Sequence, residues 1–267
     1  MNATPLYDVV SNLVNQTALE NRLRRVLRDF VLGTLVSRSC LLDDVAHALT
    51  PRGEKDSQYR RLQRFLANEH VDVAGLQREW ARIVVPTLPP TRVILLVDET
   101  ALSKHLKSLV LGIWTPGGCV PIAWRCYRST DYPAGGQVHL IANLLDRVLG
   151  AFPVPTTLIL LADRGIGTSP DLIRAVENRG IDVLFRVQSS THFRYPDGHT
   201  VTLGELGIEG KAWQSVGAVF KKAGWLALTA TVAGLRAMTP PGVWQAPDPL
   251  ILPCMAAALI RKSVFAT

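Results

Sequence analysis

The hydrophobic pattern of the chain changes at one point, and this change constrains the fold more than any other feature. Before residue 86, apolar residues recur at helical spacing, whereas from Arg92 short apolar runs alternate with helical segments. The segment VPTLPPTR between them contains Pro86, Pro89 and Pro90, which break helical structure. The pattern therefore predicts a helical domain over 1–88, followed by a domain that contains both strands and helices.

The second domain begins with three apolar runs separated by short turns, which predict an antiparallel meander. A helix over 137–152, a strand over 156–163, a helix over 169–180 and a strand over 181–187 complete the order β-β-β-α-β-α-β. With right-handed βαβ connections, this order favours a mixed sheet with helices on its faces. It is the order of the ribonuclease H-like fold, in which the first and fourth strands are parallel neighbours, and we assign that fold to 89–192.

Acidic residues end two strands of this predicted sheet. The stretch RVILLVDET ends the first strand on Asp98 and Glu99, and Asp163 ends the fourth. The fold would bring Asp98 and Asp163 together at the carboxyl edge of the sheet, where open α/β sheets bind ligands. Neighbouring carboxylates repel each other unless they share a cation, and oxygen ligands suit Mg²⁺ or Mn²⁺. We expect Glu99 to point to the opposite face and to be secondary.

The N-terminal domain carries a basic helix. Amphipathic helices are predicted over 17–36 and 41–50, and a third begins at Asp56 or Ser57 as its N-cap. The third helix would direct four residues inward, namely Tyr59, Leu62, Phe65 and Leu66. The helix over 17–36 would leave Asp29 on its outward face, with Arg22 and Arg25.

Three arginines, Arg60, Arg61 and Arg64, occupy the outward face of the third helix. Two short helices with arginines on the second resemble a helix-turn-helix, whose second helix lies in the major groove of double-stranded DNA. The net charge of +7 also favours a polyanionic partner. The alternative is a helical bundle in which these arginines form a solvated face.

The cysteines and the lack of targeting or membrane segments indicate the cellular compartment. The four cysteines are far apart and form no zinc-binding pattern, so we expect buried, reduced thiols. No signal peptide and no apolar run of about 18 residues is present, which predicts a cytoplasmic protein without a membrane partner.

These segments together resemble bacterial insertion-sequence transposases of the DDE type. SQYRRLQRFL at 57–66 is similar to the DNA-binding segment of that family, and VDET at 97–100 to its first catalytic aspartate. ADRGIGTSPDLIRAV at 162–176 is similar to the second catalytic aspartate, and VLFRV at 183–187 to the following strand.

The resemblance implies a nucleoid-associated, dimeric enzyme that acts on terminal inverted repeats and target DNA. It implies that two Mg²⁺ or Mn²⁺ ions support cleavage at the element's ends, followed by strand transfer. By position, Asp98 and Asp163 would be the catalytic metal ligands. In such sites two ions can activate the attacking hydroxyl and stabilise the leaving oxygen.

The third acid of the family is not identified in this sequence. Its pattern, Y-x2-R-x3-E-x6-K, is absent, because Tyr195 is followed at the required offsets by Gly198 and Thr202. Residues 193–236 resemble the start of the family's β-rich insertion, whereas 237–267 is proline-rich and predicts an irregular tail. We therefore expect a truncation or a shifted reading frame.

Three glutamates are conceivable substitutes for the third acid: Glu177, Glu205 and Glu209. Two other functions stay open. One is a DNA-binding transposase remnant without catalysis. The other is an unrelated metal-dependent nuclease that uses Asp98, Glu99 and Lys104 as a local cluster, for which Asp163→Asn would leave activity largely intact.

Overall fold

The structure is a computed structural model, and it divides the chain into two compact units, Met1–Thr87 and Leu88–Thr267. The described residues are 3–49, 54–88, 91–131, 133–163, 165–166, 169–206, 212–223, 225–234 and 256–261. The division falls within the proline-rich segment. None of the helices in these ranges combines the length and apolar character needed to cross a membrane.

The first unit is helical. Its helices in the described residues are α1 (Ala3–Asn15), α2 (Asn21–Ser37), α3 (Leu42–Ala48), α4 (Lys55–Leu66) and α5 (Val73–Val84). The predicted N-cap of α4 was wrong, because the helix already begins at Lys55 and Glu54 precedes it. Helix α5 has a side-chain N-cap, Asp72, whose carboxylate accepts the Gly75 N–H at 2.8 Å. This backbone hydrogen bond lowers the pKa of Asp72.

The core of this unit lies between α2, α3 and α4. Its buried residues are Val26, Val45, Ala46, Leu49, Leu62 and Phe65. Gly33 allows α2 to approach α3 closely, because a Cβ at this position would lie 2.7 Å from Val45 Cγ1. Leu66, predicted to face inward, is instead 55% exposed. It is the last residue of α4.

The second unit begins with a mixed α/β arrangement. Its elements are β1 (Arg92–Ala101), β2 (Leu106–Thr115), β3 (Gly118–Arg128), α6 (Gly136–Val148), β4 (Thr157–Ala162), α7 (Pro170–Glu177) and β5 (Asp182–Val187). Helix α7 follows the expected pattern, with Ser169 as its N-cap and Pro170 at its first position. The elements occur in the order β-β-β-α-β-α-β, which is consistent with a ribonuclease H-like fold.

Further strands extend the sheet on one side. They are β6 (His192–Arg194), β7 (Thr200–Thr202), β8 (Ala212–Val219), β9 (Leu226–Gly234) and β10 (Ala256–Arg261). The strand order is β3-β2-β1-β4-β5-β10-β9-β8-β6-β7. Strands β1, β4 and β5 are parallel, whereas β2, β3 and the added strands pair antiparallel.

The core of the second unit lies between the sheet and two helices. Helix α6 contacts β2 and β3, helix α7 contacts β5, and the two helices contact each other. Leu95, Leu111, Leu160 and Phe185 are fully buried in the strands. The added strands have an aromatic cluster of their own, in which Phe193 contacts Tyr195 and Trp213 edge-to-face.

The tail differs from its prediction. Residues 256–261 form β10, which lies between β5 and β9, although 237–267 was expected to be irregular. Its hydrogen-bonding partners are distant in sequence, so local pattern did not reveal the strand. Residues 235–255 and 262–267 lie outside the described residues.

The expectation of buried thiols was also wrong for the three cysteines within the described residues. Cys40, Cys119 and Cys126 are free but exposed. Cys254 lies outside the described residues.

Candidate active site

Asp98 and Asp163 occupy equivalent positions on two neighbouring strands. Strands β1 and β4 pair in parallel from Arg92–Thr157 to Val97–Ala162, and each aspartate directly follows the last pair. Side chains at partnered positions of parallel strands lie on the same face, and adjacent strands are about 4.8 Å apart. The pairing therefore brings the two aspartates to neighbouring positions at the carboxyl edge of the sheet.

The burial pattern identifies the face of the sheet on which Asp98 and Asp163 lie. The residues directed towards the helices are buried in both strands: Val93, Leu95, Val97, Leu158, Leu160 and Ala162. Asp98 and Asp163 fall on the alternate positions and are exposed. Both carboxylates thus lie on the face opposite the buried residues, where solvent and a ligand can reach them.

Local hydrogen bonds orient both carboxylates. Asp163 Oδ1 accepts the backbone N–H groups of Gly165 and Ile166, at 2.9 and 3.1 Å, in the turn that follows β4. Asp98 Oδ2 accepts the Thr100 hydroxyl at 3.0 Å. Within the described part of the chain, the second oxygen of each carboxylate accepts no hydrogen bond. These two oxygens are therefore available to a ligand.

The donor set suits a hydrated divalent ion better than a protein-enclosed one. In the described ranges, no group of three His, Cys, Asp or Glu side chains is arranged to hold a metal. Mg²⁺, however, is commonly held by one or two carboxylates, with water and substrate phosphate as its other ligands. Asp98 and Asp163 fit that requirement for a single ion, whereas a second ion would need a further ligand.

The two described candidates for the third acid do not join the pair. Glu177 ends α7, whose eight residues separate it from the start of the helix by roughly 10 Å. Glu205 Oε2 accepts the Thr202 N–H at 2.9 Å and belongs to a local turn. Glu209 lies outside the described residues.

Glu99 lies on the other face of β1 and has a different environment. Its carboxylate forms an ion pair with Lys107 Nζ at 2.7 Å and accepts hydrogen bonds from the Tyr127 hydroxyl and from Gln137 Nε2, the latter at 3.3 Å. Only 17% of its side chain is exposed. Glu99 and its partners, a cluster that the sequence analysis missed, connect β1 to β2, β3 and α6.

This environment does not support the local cluster of Asp98, Glu99 and Lys104. Glu99 faces away from Asp98, as strand alternation predicted, and Lys104 lies in the exposed turn between β1 and β2. A signal for the Glu99 cluster was present in the sequence, since Lys107 and Tyr127 fall at apolar-facing positions of their strands. A lysine at such a position indicates a nearby buried carboxylate.

The three arginines of α4 do not share one environment. Arg61 NH2 donates to Asp29 Oδ2 at 2.7 Å, and the Asp29 side chain is only 7% exposed. Arg60 and Arg64 are exposed. Asp29 was expected on the outward face of α2, but the ion pair with Arg61 allows it to be buried between the helices. Arg61 therefore links α4 to α2, while Arg60 and Arg64 point towards solvent.

A cleft of about 550 Å³ lies beside these arginines within the helical unit. Its apolar lining includes Leu23, Val26 and Phe65, and its cationic lining includes Arg22 and Arg64. Basic groups of α2 and α4 thus border one concave surface, which Glu20 and Asp72 also line.

The sequence was compared with models of known protein families. The model of a family described as DDE superfamily endonuclease matches residues 19–113. This range runs from the segment before α2 into β2 and includes Asp98 and the three arginines of α4, but it ends before Asp163. A search of curated proteins finds no match. The family match supports a nuclease or transposase of the DDE superfamily, a class that acts on DNA and generally uses divalent metal ions.

Proposed function

We propose that this protein is a DDE-type transposase that binds DNA through its helical unit and cleaves phosphodiester bonds at Asp98 and Asp163. The observation that carries the proposal is the register of β1 and β4, which supports two neighbouring carboxylates on the exposed face of the sheet. The family match over 19–113 supports the same class of reaction.

In this proposal the two aspartates hold one divalent ion, Mg²⁺ or Mn²⁺, at the scissile phosphate. A bound ion would stabilise the charge that develops on the phosphate oxygens and lower the pKa of the attacking water. The protein's own contribution is orientation. The Gly165 and Ile166 N–H groups fix one oxygen of Asp163, and the Thr100 hydroxyl fixes one oxygen of Asp98. The remaining oxygen of each carboxylate would hold the ion.

The Glu99 cluster supports the same site from the opposite face of the sheet. Its four groups connect β1 to two strands and a helix, directly beside Asp98 in sequence. Because they restrain the end of β1, they reduce the freedom of the Asp98 backbone. Glu99 is therefore a positioning residue in this proposal and does not contact the ion.

The finer assignments follow the family resemblance. They comprise double-stranded terminal inverted repeats and target DNA as ligands, strand transfer after cleavage, a homodimer, and a location at the nucleoid. Arg60 and Arg64 are the better candidates for phosphate contacts, since both are exposed. Arg61 is the weaker candidate, because its guanidinium already pairs with the buried Asp29 carboxylate.

The proposal is tested with the full chain and DNA that contains the ends of its element. Cleavage should require Mg²⁺ or Mn²⁺, and Asp98→Asn or Asp163→Asn should each reduce its rate by about 100-fold or more, because each removes a charged metal ligand. Asp171→Asn is a matched control, since Asp171 is exposed on α7 and pairs only at the surface with Arg174. Full activity of either active-site variant would refute the assignment.

A second candidate is a DNA-binding transposase remnant without catalysis. The observation in its favour is that the described residues supply two acids, not three, at the site. It predicts salt-sensitive binding of the element's ends with no metal-dependent cleavage under any condition. A gel-shift assay at two salt concentrations, run beside the cleavage assay, separates the two candidates.

A further inference from the structure

Two tryptophans on the ribbon formed by β2 and β3 are unusually accessible. Trp114 is 52% exposed and Trp124 is 40% exposed. An exposed tryptophan leaves a large apolar surface in contact with water, and tryptophans are enriched where a protein contacts a partner. The strand register determines how each one lies relative to the two aspartates.

Trp124 lies in the same row of the sheet as the aspartates. Asp98 on β1 pairs with Val110 on β2, and Val110 pairs with Trp124 on β3. Asp163 is next to Asp98 on the other side. Residues in one row share a face, so Trp124, Val110, Asp98 and Asp163 lie along one line on the same surface. With strands about 4.8 Å apart, the Trp124 Cα lies about 10 Å from that of Asp98.

Trp114 has the same chemistry but a different location. It lies four residues beyond Val110 on the same face of β2, and therefore roughly 13 Å further along the strand, towards the opposite end of the sheet. It is at least as exposed as Trp124. Any property that depends on nearness to the aspartates should thus distinguish these two tryptophans.

A basic group accompanies Trp124. Arg128 lies four residues further along β3, on the same face, and is exposed. Strand β3 runs in the same direction as β1, so Arg128 lies at the sheet edge where β1 ends. An exposed guanidinium at this edge is complementary to a DNA phosphate.

We infer that Trp124 is a stacking surface for an unpaired base of the DNA strand whose phosphate lies at Asp98 and Asp163. This inference rests on the proposed function and adds a nucleotide-contacting residue to it. A distance of about 10 Å corresponds to about three stacked nucleotides at about 3.4 Å each, so a base close to the scissile phosphate reaches the indole. Stacking on tryptophan tolerates any base, which suits a contact that holds the strand without reading sequence.

The test compares two DNA duplexes that carry a short single-stranded extension. In one, the first unpaired nucleotides have normal bases, and in the other they are abasic. Binding to the full chain is measured with Mg²⁺ before cleavage is detectable. The wild-type protein should prefer the base-bearing duplex by about 10-fold. Trp124→Ala should abolish this preference, Trp124→Phe should keep part of it, and Trp114→Ala should keep all of it.

Two results would overturn the inference. One is a wild-type protein without preference for the base-bearing duplex. The other is a preference that Trp124→Ala retains, or that Trp114→Ala loses to the same extent. Trp124→Phe is the control for a folding defect in Trp124→Ala, because it preserves an aromatic ring at the same position. The proposed function is tested independently by Asp98→Asn, whose full cleavage activity would refute the nuclease assignment whatever the base preference.

Discussion

Arg61 on α4 donates a hydrogen bond to the buried carboxylate of Asp29 on α2, at 2.7 Å, and so joins two helices of the first unit. The Asp29 side chain is only 7% exposed, and Arg28 Nε also lies within 3.7 Å of its Oδ1. Removing one member of a buried ion pair is destabilising, because the charge that remains buried loses a partner.

The first prediction is that Arg61→Ala destabilises the first unit, whereas Arg60→Ala does not. The loss should be about 1–3 kcal/mol in the free energy of unfolding, since the buried Asp29 carboxylate loses a charged hydrogen-bond donor. Arg60→Ala should change the value by less than about 0.5 kcal/mol, because exposed substitutions usually do. Urea unfolding of the two variants measures the difference, and equal stabilities would contradict the role of the pair.

The second prediction concerns DNA affinity. Arg60→Ala and Arg64→Ala should each weaken binding at low salt and reduce the slope of log affinity against log salt by about 1, because each removes one phosphate contact. Both side chains are exposed, so folding should be unaffected. Binding isotherms at several salt concentrations provide the slopes. Lys222→Ala, an exposed change in the second unit, is the charge-matched control, and an equal loss of slope there would argue against a specific role for α4.

The third prediction addresses the cluster around Glu99. Lys107→Met should reduce the free energy of unfolding by about 1–3 kcal/mol, because it removes the Lys107 ammonium from a largely buried carboxylate. Adding Glu99→Gln to Lys107→Met should recover part of this loss, since the remaining amide carries no charge. A double-mutant cycle measures the coupling. Additive effects would mean that the two side chains do not interact.

The fourth prediction is a pH dependence. Arg179 donates to both oxygens of Asp146, each at 2.7 Å, and lowers the pKa of Asp146 below its ordinary value of 3.8. A folded pKa below the unfolded one contributes stability above about pH 4, and this contribution is lost as the pH falls through the folded pKa. Because 53% of the Asp146 side chain is exposed, solvent screening limits the contribution to about 1 kcal/mol or less.

Asp146→Asn tests this dependence. The difference in unfolding free energy between wild type and variant should be largest near neutral pH and should shrink as the pH falls below about 4. Asp171→Asn serves as the comparison, because Asp171 pairs with Arg174 on the exposed side of one helix. A difference for Asp146→Asn that does not change with pH would contradict the assignment.

Most helices and strands at the start of the second unit could be predicted from the local hydrophobic pattern. Apolar runs such as RVILLV can only be strands or buried helix segments, and their short length and the intervening turns favour strands. Once the order of elements is known, few topologies remain, so the neighbouring positions of Asp98 and Asp163 could also be anticipated. Strand alternation alone was sufficient to predict that the Glu99 side chain points away from Asp98.

Other features depend on partners that no local pattern reveals. Helical spacing assigned Asp29 to a polar face, but Arg61, 32 residues later, compensates its charge and permits burial. β10 forms because the edges of β5 and β9 offer unpaired backbone groups, and those strands are distant in sequence. The row that connects Trp124 to Asp98 exists only through the pairing of three strands.

The sequence by itself determined the order of helices and strands in the second unit and the acidic ends of β1 and β4, because hydrophobic period and run length are properties of neighbouring residues. Only the tertiary structure decided which charges are compensated, as for Asp29 and Glu99, and which side chains share a surface with the aspartates. The physical reason is that hydrogen bonding and burial depend on residues far apart in the chain, whose proximity is set by the fold as a whole.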